Sequence, residues 1–259
     1  MSTLSFQEYG QGQPIILLHG FPMNKKVWSG YAQKLSANFK VYTPDLPGFG
    51  DSPLTENTFS IQDIGREVLD WLAAKNIGRS VLIGHSLGGY VALSMVGLDP
   101  ERFAGFGLFH STALADSEEK KQSRTKVVEF VEKNGAAAFT ANFIPPLFAD
   151  KDDARVDHIR SISIESPAAA VTGYTLAMRD RPETIDVLRQ FTKPVLFIAG
   201  EKDGGIPVDS VRQQATVCAD PEVHVLTGVA HMGMIEAEGE TVEIVQHFSA
   251  RAFGLADPK

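Results

Sequence analysis

The order of apolar and polar positions divides the chain into short apolar runs separated by amphipathic segments. The runs lie at 4–9, 15–18, 41–43, 81–83, 106–109, 195–199 and 223–226. The later ones are apolar at successive positions, which predicts strands covered on both faces, as in a parallel sheet. The clearest helical segment spans 60–76, where Ile61, Ile64, Val68 and Trp71/Leu72 recur at steps of three and four. Ser60 is placed to cap it, Asp63 and Glu67 load its early turns, and Gly78 follows its end. Residues 25–37 and 241–253 also read as helices. The segment after Ser86 is apolar on most sides (Val91, Ala92, Leu93, Met95, Val96), which predicts a helix set deep against a sheet and stopped at Asp99-Pro100.

This strand–helix alternation breaks between 111 and 194. Residues 116–126 are polar; helical patches follow at 126–133, 136–143, 153–164 and 168–178, interrupted by Ile144-Pro145-Pro146-Leu147. The stretch keeps apolar residues at helical spacing, so it reads as a helical insertion rather than a linker. The pattern therefore predicts an α/β fold with a mostly parallel central sheet and helices on both faces. The core comprises 1–111 and 191–259, and 112–190 is the inserted helical part. The run 118–121 reads as a solvated helix face.

Composition narrows the class. The chain has 259 residues, 43% hydrophobic and 22% charged, enough for a sizeable core without staples. A formal net charge of −8 argues against nucleic-acid partners and anionic membrane surfaces. Cys218 is the single cysteine, so no internal disulfide forms. The start MSTLSFQEYG has neither a basic opening nor a signal-length apolar run, and no stretch approaches the roughly 18 apolar residues of a membrane helix. The expectation is a cytoplasmic protein acting on a small molecule. Its oligomeric state is not set by the sequence.

The chemistry concentrates at Gly84-His85-Ser86-Leu87-Gly88. A Gly-x-Ser-x-Gly run gains meaning when it closes a buried strand and opens a helix, as it does here. Ser86 is then held on a strained turn at the carboxyl end of a strand, beside a helix N-terminus that favours developing negative charge. Gly84 and Gly88 relieve crowding where strand and helix pass. A serine hydroxyl needs a base. Of seven histidines, His231 lies in a glycine-flanked loop directly after the last strand, free to swing over the sheet. His85 points away if Ser86 points out, His110 ends a strand, His224 lies within one, His247 sits mid-helix and His158 is in the insertion.

An orienting acid is expected between serine and histidine in chain order. Asp203, directly after the run 195–199, is the candidate; Glu201 and Asp209 are rivals, and Asp116 serves if the site is built one strand over. A tetrahedral oxyanion needs two donors. The backbone N–H groups of Leu87 and of Phe21, in His19-Gly20-Phe21-Pro22, fit that need. His19 and Gly20 support this loop. Trp28 is expected to pack beneath it, and Cys218 to be buried packing.

These stations, together with Asp45-Leu46-Pro47-Gly48-Phe49-Gly50-Asp51-Ser52, resemble the α/β-hydrolase superfamily over nearly the whole chain. The resemblance implies nucleophile Ser86, acid Asp203 and base His231. It also implies a structural turn at 45–52 and a cap formed by 112–190. The sequence departs from the family in its short N-terminus, so the family's first, antiparallel strand is expected to be absent, with 4–9 as its second. The elbow looks like those of esterases and lactonases, and a serine at 86 disfavours dehalogenases and epoxide hydrolases, which place aspartate there.

The expected activity is a serine hydrolase of small or medium carboxylic esters, working through an acyl-enzyme on Ser86 with no metal and no organic cofactor. Phe139, Phe143, Ile144, Leu147, Phe148 and Met178 are candidates for an apolar pocket, with Met232 and Met234 beside them. Arg155, Arg160, Arg179 and Arg181 are read as exposed by default. An enol-lactone or carbon–carbon bond hydrolase shares the triad, and a small-ligand receptor on the same fold is the alternative from another class.

Overall fold

The computed structural model describes residues 4–56 and 58–256. Its strands are β1 (Phe6–Tyr9), β2 (Pro14–Leu18), β3 (Lys40–Pro44), β4 (Ser80–His85), β5 (Phe103–Phe109), β6 (Val195–Gly200) and β7 (Pro221–Leu226). They form one sheet in the order β1-β3-β2-β4-β5-β6-β7. β1 is antiparallel to β3, and every other pair is parallel. The strand expected at 4–9 is thus the antiparallel edge of the sheet. Charge guards both edges: Lys40 pairs with Glu8 at 3.2 Å, and His224 with Glu222 at 2.8 Å.

Successive apolar residues serve different cores. Ile16 and Leu18 pack with Val68, Trp71 and Val91, whereas Ile15 and Leu17 pack with Trp28, Tyr31, Val245 and Phe248. The first face is covered by α2 (Ile61–Ala74) and α3 (Leu87–Leu98), the second by α1 (Ser29–Leu35) and α11 (Glu238–Phe253). This is why the central strands read as continuous apolar runs. Ser60 and Asp63 form a reciprocal cap at the start of α2, as their spacing predicts. The helix expected over 25–37 is a 3₁₀ turn at Lys25–Trp28 leading into α1. α9 (Val208–Ala215) precedes β7, and α10 (Gly233–Glu236) follows it.

Between β5 and β6 lie α4 (Glu118–Asn134), α5 (Ala136–Phe143), α6 (Arg155–Ser163), α7 (Ala168–Asp180) and α8 (Ile185–Gln190). α4 starts well before the patch expected at 126–133. Its first turns are polar, so hydrophobic spacing does not announce them. They are helical because Ser117 accepts from Lys120 N at 3.2 Å, Glu118 and Glu119 face the helix N-terminus, and Lys121 pairs with Glu118 at 2.7 Å. α8 has one fully buried side chain, Leu188, too few for a visible period.

The insertion is tied to loops that leave the carboxyl ends of strands. Asn24 Nδ2 donates to Ile162 O (3.1 Å) and Ser166 Oγ to Pro22 O (2.7 Å), in the loop after β2. Tyr174 OH donates to Pro47 O (2.9 Å), after β3. His231 N donates to Leu147 O (2.9 Å), after β7. The helices therefore lie over the end of the sheet where Ser86 sits. Apolar side chains of the insertion, among them Val131, Phe139, Tyr174 and Met178, join the core beneath.

Candidate active site

Ser86 joins β4 to α3 with φ 50° and ψ −113°, a backbone conformation that a non-glycine residue adopts only when its surroundings hold it. Several contacts do so. Ser86 N donates to Phe109 O at 3.0 Å, and Ser86 O accepts from Ser111 Oγ at 2.7 Å and Gly89 N at 2.9 Å. A Cβ at Gly84 would stand 2.3 Å from Gly88 O, and one at Gly88 would stand 2.5 Å from Leu18 O. The glycines are therefore required by backbone passing backbone, as the sequence suggests.

His231 Nδ1 lies 2.7 Å from Asp203 Oδ2. Asp203 is itself braced by further donors: Oδ1 accepts from Gly205 N (2.8 Å) and Ile206 N (3.1 Å), and Oδ2 also meets His110 Nδ1 (3.2 Å). Burial alone would raise this carboxyl's pKa, but the neighbouring His231 imidazole and the hydrogen bonds from His110 and His231 hold it well below the usual carboxylate range. Asp203 is thus an anion that fixes a proton on Nδ1 of each imidazole. That leaves Nε2 of His231 as the free acceptor, and Ser86 lines the same cavity. The resting Ser86 Oγ is not hydrogen-bonded to that nitrogen among the described residues, a looseness common before substrate binds.

Two further histidines support this arrangement, and the sequence assigns neither a role. His110, fully buried at the end of β5 with φ 49°, donates to Asp203 through Nδ1 and accepts from Gly233 N at 3.2 Å through Nε2. The visible signal is a polar residue closing the wholly apolar strand Phe103–Phe109. His85 does turn away from the cavity, as expected. Its Nε2 donates to the carbonyl of His231 at 2.9 Å and so braces the loop. Burial pushes the pKa of both imidazoles down, well down for His85, so both are neutral.

His110, Asp203 and His231 present ligand atoms within 4.8 Å of one another, a grouping that can hold a metal ion. Here both Nδ1 atoms instead share protons with Asp203, and His110 Nε2 is taken by a backbone N–H. The donor set is consumed by hydrogen bonds and does not fit an ion without breaking them.

The loop after β2 lies beside Ser86. His19 is buried, donates through Nδ1 to Gly20 O (2.9 Å) and accepts from Leu46 N (2.9 Å), which ties this loop to the turn at 45–52. Asp45 closes that turn, accepting from Lys25 N (2.7 Å), Lys25 Nζ (2.6 Å) and Asp51 N (2.9 Å). Gly20 rests against the His85 ring, and Phe21 lines the cavity. Neither Phe21 N nor Leu87 N donates to another protein group among the described residues. Trp28 is buried under the loop, edge-on to His85 and Phe109.

The cavity holding Ser86 and His231 has a volume of about 320 Å³. Phe143, Leu147 and Met178 line it, as anticipated from the sequence. Phe139 stands behind, stacked on Phe143 with centroids 5.1 Å apart. Ile144, Phe148, Met232 and Met234 are buried in the core instead. A larger cavity of about 870 Å³ lies between α2, α3 and α7; it shares only Tyr90 and no histidine with the first.

The other candidates for acid and nucleophile have partners of their own: Asp209 is exposed on α9, 3.8 Å from Arg212. Asp116 is buried between Arg124 and Arg181. Arg181 is correspondingly not an exposed arginine: it is buried, donates to Asp116 Oδ1 at 2.8 Å and lies 3.9 Å over the Tyr90 ring. Arg155, Arg160 and Arg179 pair with Asp153, Asp157 and Asp180 near the surface. Glu201 reaches Gly228 N, away from His231. Cys218 lies past the end of α9, half-buried, and burial pushes its thiol up to about 11, which keeps it protonated.

Comparison with known proteins agrees with this architecture. The chain is 29% identical to a pimeloyl-[acyl-carrier protein] methyl ester esterase of Aeromonas salmonicida, over 95% of this chain and 99% of the relative. It is 30% identical to 3-oxoadipate enol-lactonase 1 of Acinetobacter baylyi, over 95% of this chain and 92% of the relative. A thermophilic esterase from Thermogutta terrifontis, solved with malate bound, superposes with a TM-score of 0.91 at 26% identity, covering 96% of this chain and 93% of that one. Residues 15–244 match the family model described as "Alpha/beta hydrolase family", and the chain belongs to that family.

Proposed function

We propose that this protein is a serine hydrolase of small or medium carboxylic esters, with Ser86 as nucleophile, His231 as general base and Asp203 as the acid that orients it. The observation that carries this reading is the 2.7 Å contact between His231 Nδ1 and the ionised Asp203, on a cavity that also contains the strained Ser86. His231 Nε2 takes the Ser86 proton as Oγ attacks the ester carbonyl. The N–H groups of Leu87 and Phe21, which have no competing protein acceptor among the described residues, are suited to the oxyanion. His231 passes the proton to the departing alcohol. It then activates a water that hydrolyses the acyl-enzyme.

Helices α4–α8 serve as a cap. Val127, Phe143, Pro146, Leu147 and Met178 form an apolar wall, and a cavity of about 320 Å³ suits a small acyl group. Enol-lactone hydrolysis is the second reading, favoured by the likeness to the Acinetobacter enol-lactonase, because a lactone is opened by the same machinery.

The test is turnover of p-nitrophenyl acetate and butyrate. Many turnovers per protein, lost by a factor of about 10⁴ or more in Ser86→Ala, support the enzyme. A single burst equal to one product per chain, without a steady state, would assign the protein to ligand capture instead.

A further inference from the structure

The face of α4 turned to the cavity carries Lys120, Ser123, Arg124 and Val127, at helix positions i, i+3, i+4 and i+7. Apart from Asp203, no carboxylate lines this cavity among the described residues. Asp203 has both oxygens occupied by four donors and is not available to a lysine. Arg124 reaches Asp116, but Asp116 is already bound by Arg181 at 2.8 Å, so two guanidinium groups share one carboxylate. Lys120 has no carboxylate partner among the described residues. Its ammonium, with three protons to donate, meets only the neutral carbonyl of Gly205, at 3.4 Å. Lys25, Lys34, Lys40, Lys121 and Lys193 each pair with an acid; of the described lysines without one, Lys120 is the lysine that lines this cavity. A protein of net charge −8 thus places an excess of cations around its catalytic cavity.

We propose that the cavity selects esters that themselves carry a carboxylate, and that Lys120, flanked by Arg124 and Ser123, receives that carboxylate. The proposal rests on the hydrolase reading and names its substrate class. The carboxylate would replace the long Gly205 contact with a charge-assisted bond at a half-buried position, where such bonds are stronger than in open water. Hydrolysis consumes one water, breaks the acyl C–O bond and, for a half-ester of a diacid, releases the dicarboxylate and the alcohol. The anion can sit on the acyl side or the alcohol side of the scissile bond, and the two are separable.

The experiment compares kcat/KM for two sets of esters. One pairs monomethyl esters of straight-chain diacids with methyl alkanoates of equal length; the other pairs acetate esters of ω-hydroxy acids with alkyl acetates. The expected result is a preference of about tenfold for the carboxylate-bearing member of one set. That ratio falls toward one in Lys120→Gln and inverts in Lys120→Glu. In the wild type it also shrinks at about 1 M salt, where the Debye length is near 3 Å. The set that shows the preference identifies the side on which the anion sits. Turnover of p-nitrophenyl butyrate with no preference in either set overturns this proposal alone, as does a preference that survives Lys120→Gln or is indifferent to salt. Failure to turn over any of these esters, p-nitrophenyl butyrate included, overturns the hydrolase reading and this inference with it.

Discussion

His110 and His231 converge on one oxygen, Asp203 Oδ2, at 3.2 and 2.7 Å, with ring centroids 5.6 Å apart. One imidazole faces the cavity; the other is buried and joins Asp203 to the backbone of the His231 loop at Gly233. On the proposed mechanism His110 acts as a positioning residue, through its contact with the Asp203 carboxylate. His110→Ala removes one of four donors to Asp203 and leaves a cavity. The expected costs are about 2–4 kcal/mol of stability and about a tenfold fall in kcat, with KM little changed. His110→Asn keeps a donor near the Nδ1 position and tolerates positive φ, so it recovers most of kcat. Steady-state kinetics with p-nitrophenyl butyrate decide the matter; equal loss in both variants would show that the Nδ1 proton is irrelevant.

Asp203→Asn tests the same network from its centre. The amide oxygen can keep the Gly205 and Ile206 N–H groups, but its NH₂ then faces two Nδ1 protons. Both imidazoles must change tautomer. His231 then presents Nε2–H to Ser86 and cannot accept its proton, which predicts a fall in kcat of about 10³–10⁴. His110 would also present Nε2–H to Gly233 N–H, donor against donor, so thermal stability drops as well. A variant with lost activity and an unchanged melting temperature would separate His110 from the network.

The three proposed triad positions are legible because each follows an apolar run, in the turn or loop that leaves the carboxyl end of a parallel strand, where such sheets present chemistry. Chain order admits both Asp116 and Asp203; the place of Asp203 directly after the run 195–199 favours it, and its carboxylate lies 2.7 Å from His231 Nδ1. The roles of His85 and His110 are not legible. They depend on which way a side chain leaves the end of a strand and on three loops meeting at one point, and spacing encodes neither. The same limit hides Arg181, whose burial follows from the position of Asp116, far away in the chain. It also hides Lys120: a polar helix has no hydrophobic stripe to say which face turns inward, and only its packing against α7 decides that.

The elbow glycines yield a sharp contrast. Gly88→Ala places a methyl 2.5 Å from the Leu18 carbonyl oxygen, where backbone must move. The expected loss is about 3 kcal/mol, with activity falling because Ser86 shifts with the turn. Gly239 is exposed in the first turn of α11, and a methyl added there would meet nothing within 4 Å. Gly239→Ala therefore gains about 0.5–1 kcal/mol from helix propensity. Urea denaturation of the two variants measures both, and similar values for the pair would contradict the close passage of strand and helix.

Burial of neutral imidazoles predicts an early loss of stability on acidification. His19, His85 and His110 all have pKa values pushed below the usual histidine value by burial, the first cause in each case. The hydrogen bonds explain why protonation is resisted. Nε2 of His19 and of His110 each accepts a backbone N–H, and Nδ1 of His85 faces no acceptor. In the unfolded chain these groups bind protons near pH 6.5, whereas in the folded chain they do so only at lower pH. Between those limits the unfolded state holds more protons, so stability rises with pH there. It is complete above about pH 6.5 and is lost as pH falls toward the folded-state values. Each histidine contributes up to about 1.4 kcal/mol per pH unit, so three give a limiting slope of about 4 kcal/mol per unit. Asp203 and Asp116, whose pKa values are lowered, add their losses only in the carboxylate range, below about pH 4. Urea unfolding across about pH 8 to 5 is expected to show a plateau that breaks near the unfolded histidine value of about 6.5. His110→Asn is expected to flatten the descending limb by one histidine's share. Stability constant down to about pH 5 would mean that these imidazoles are protonated in the folded protein.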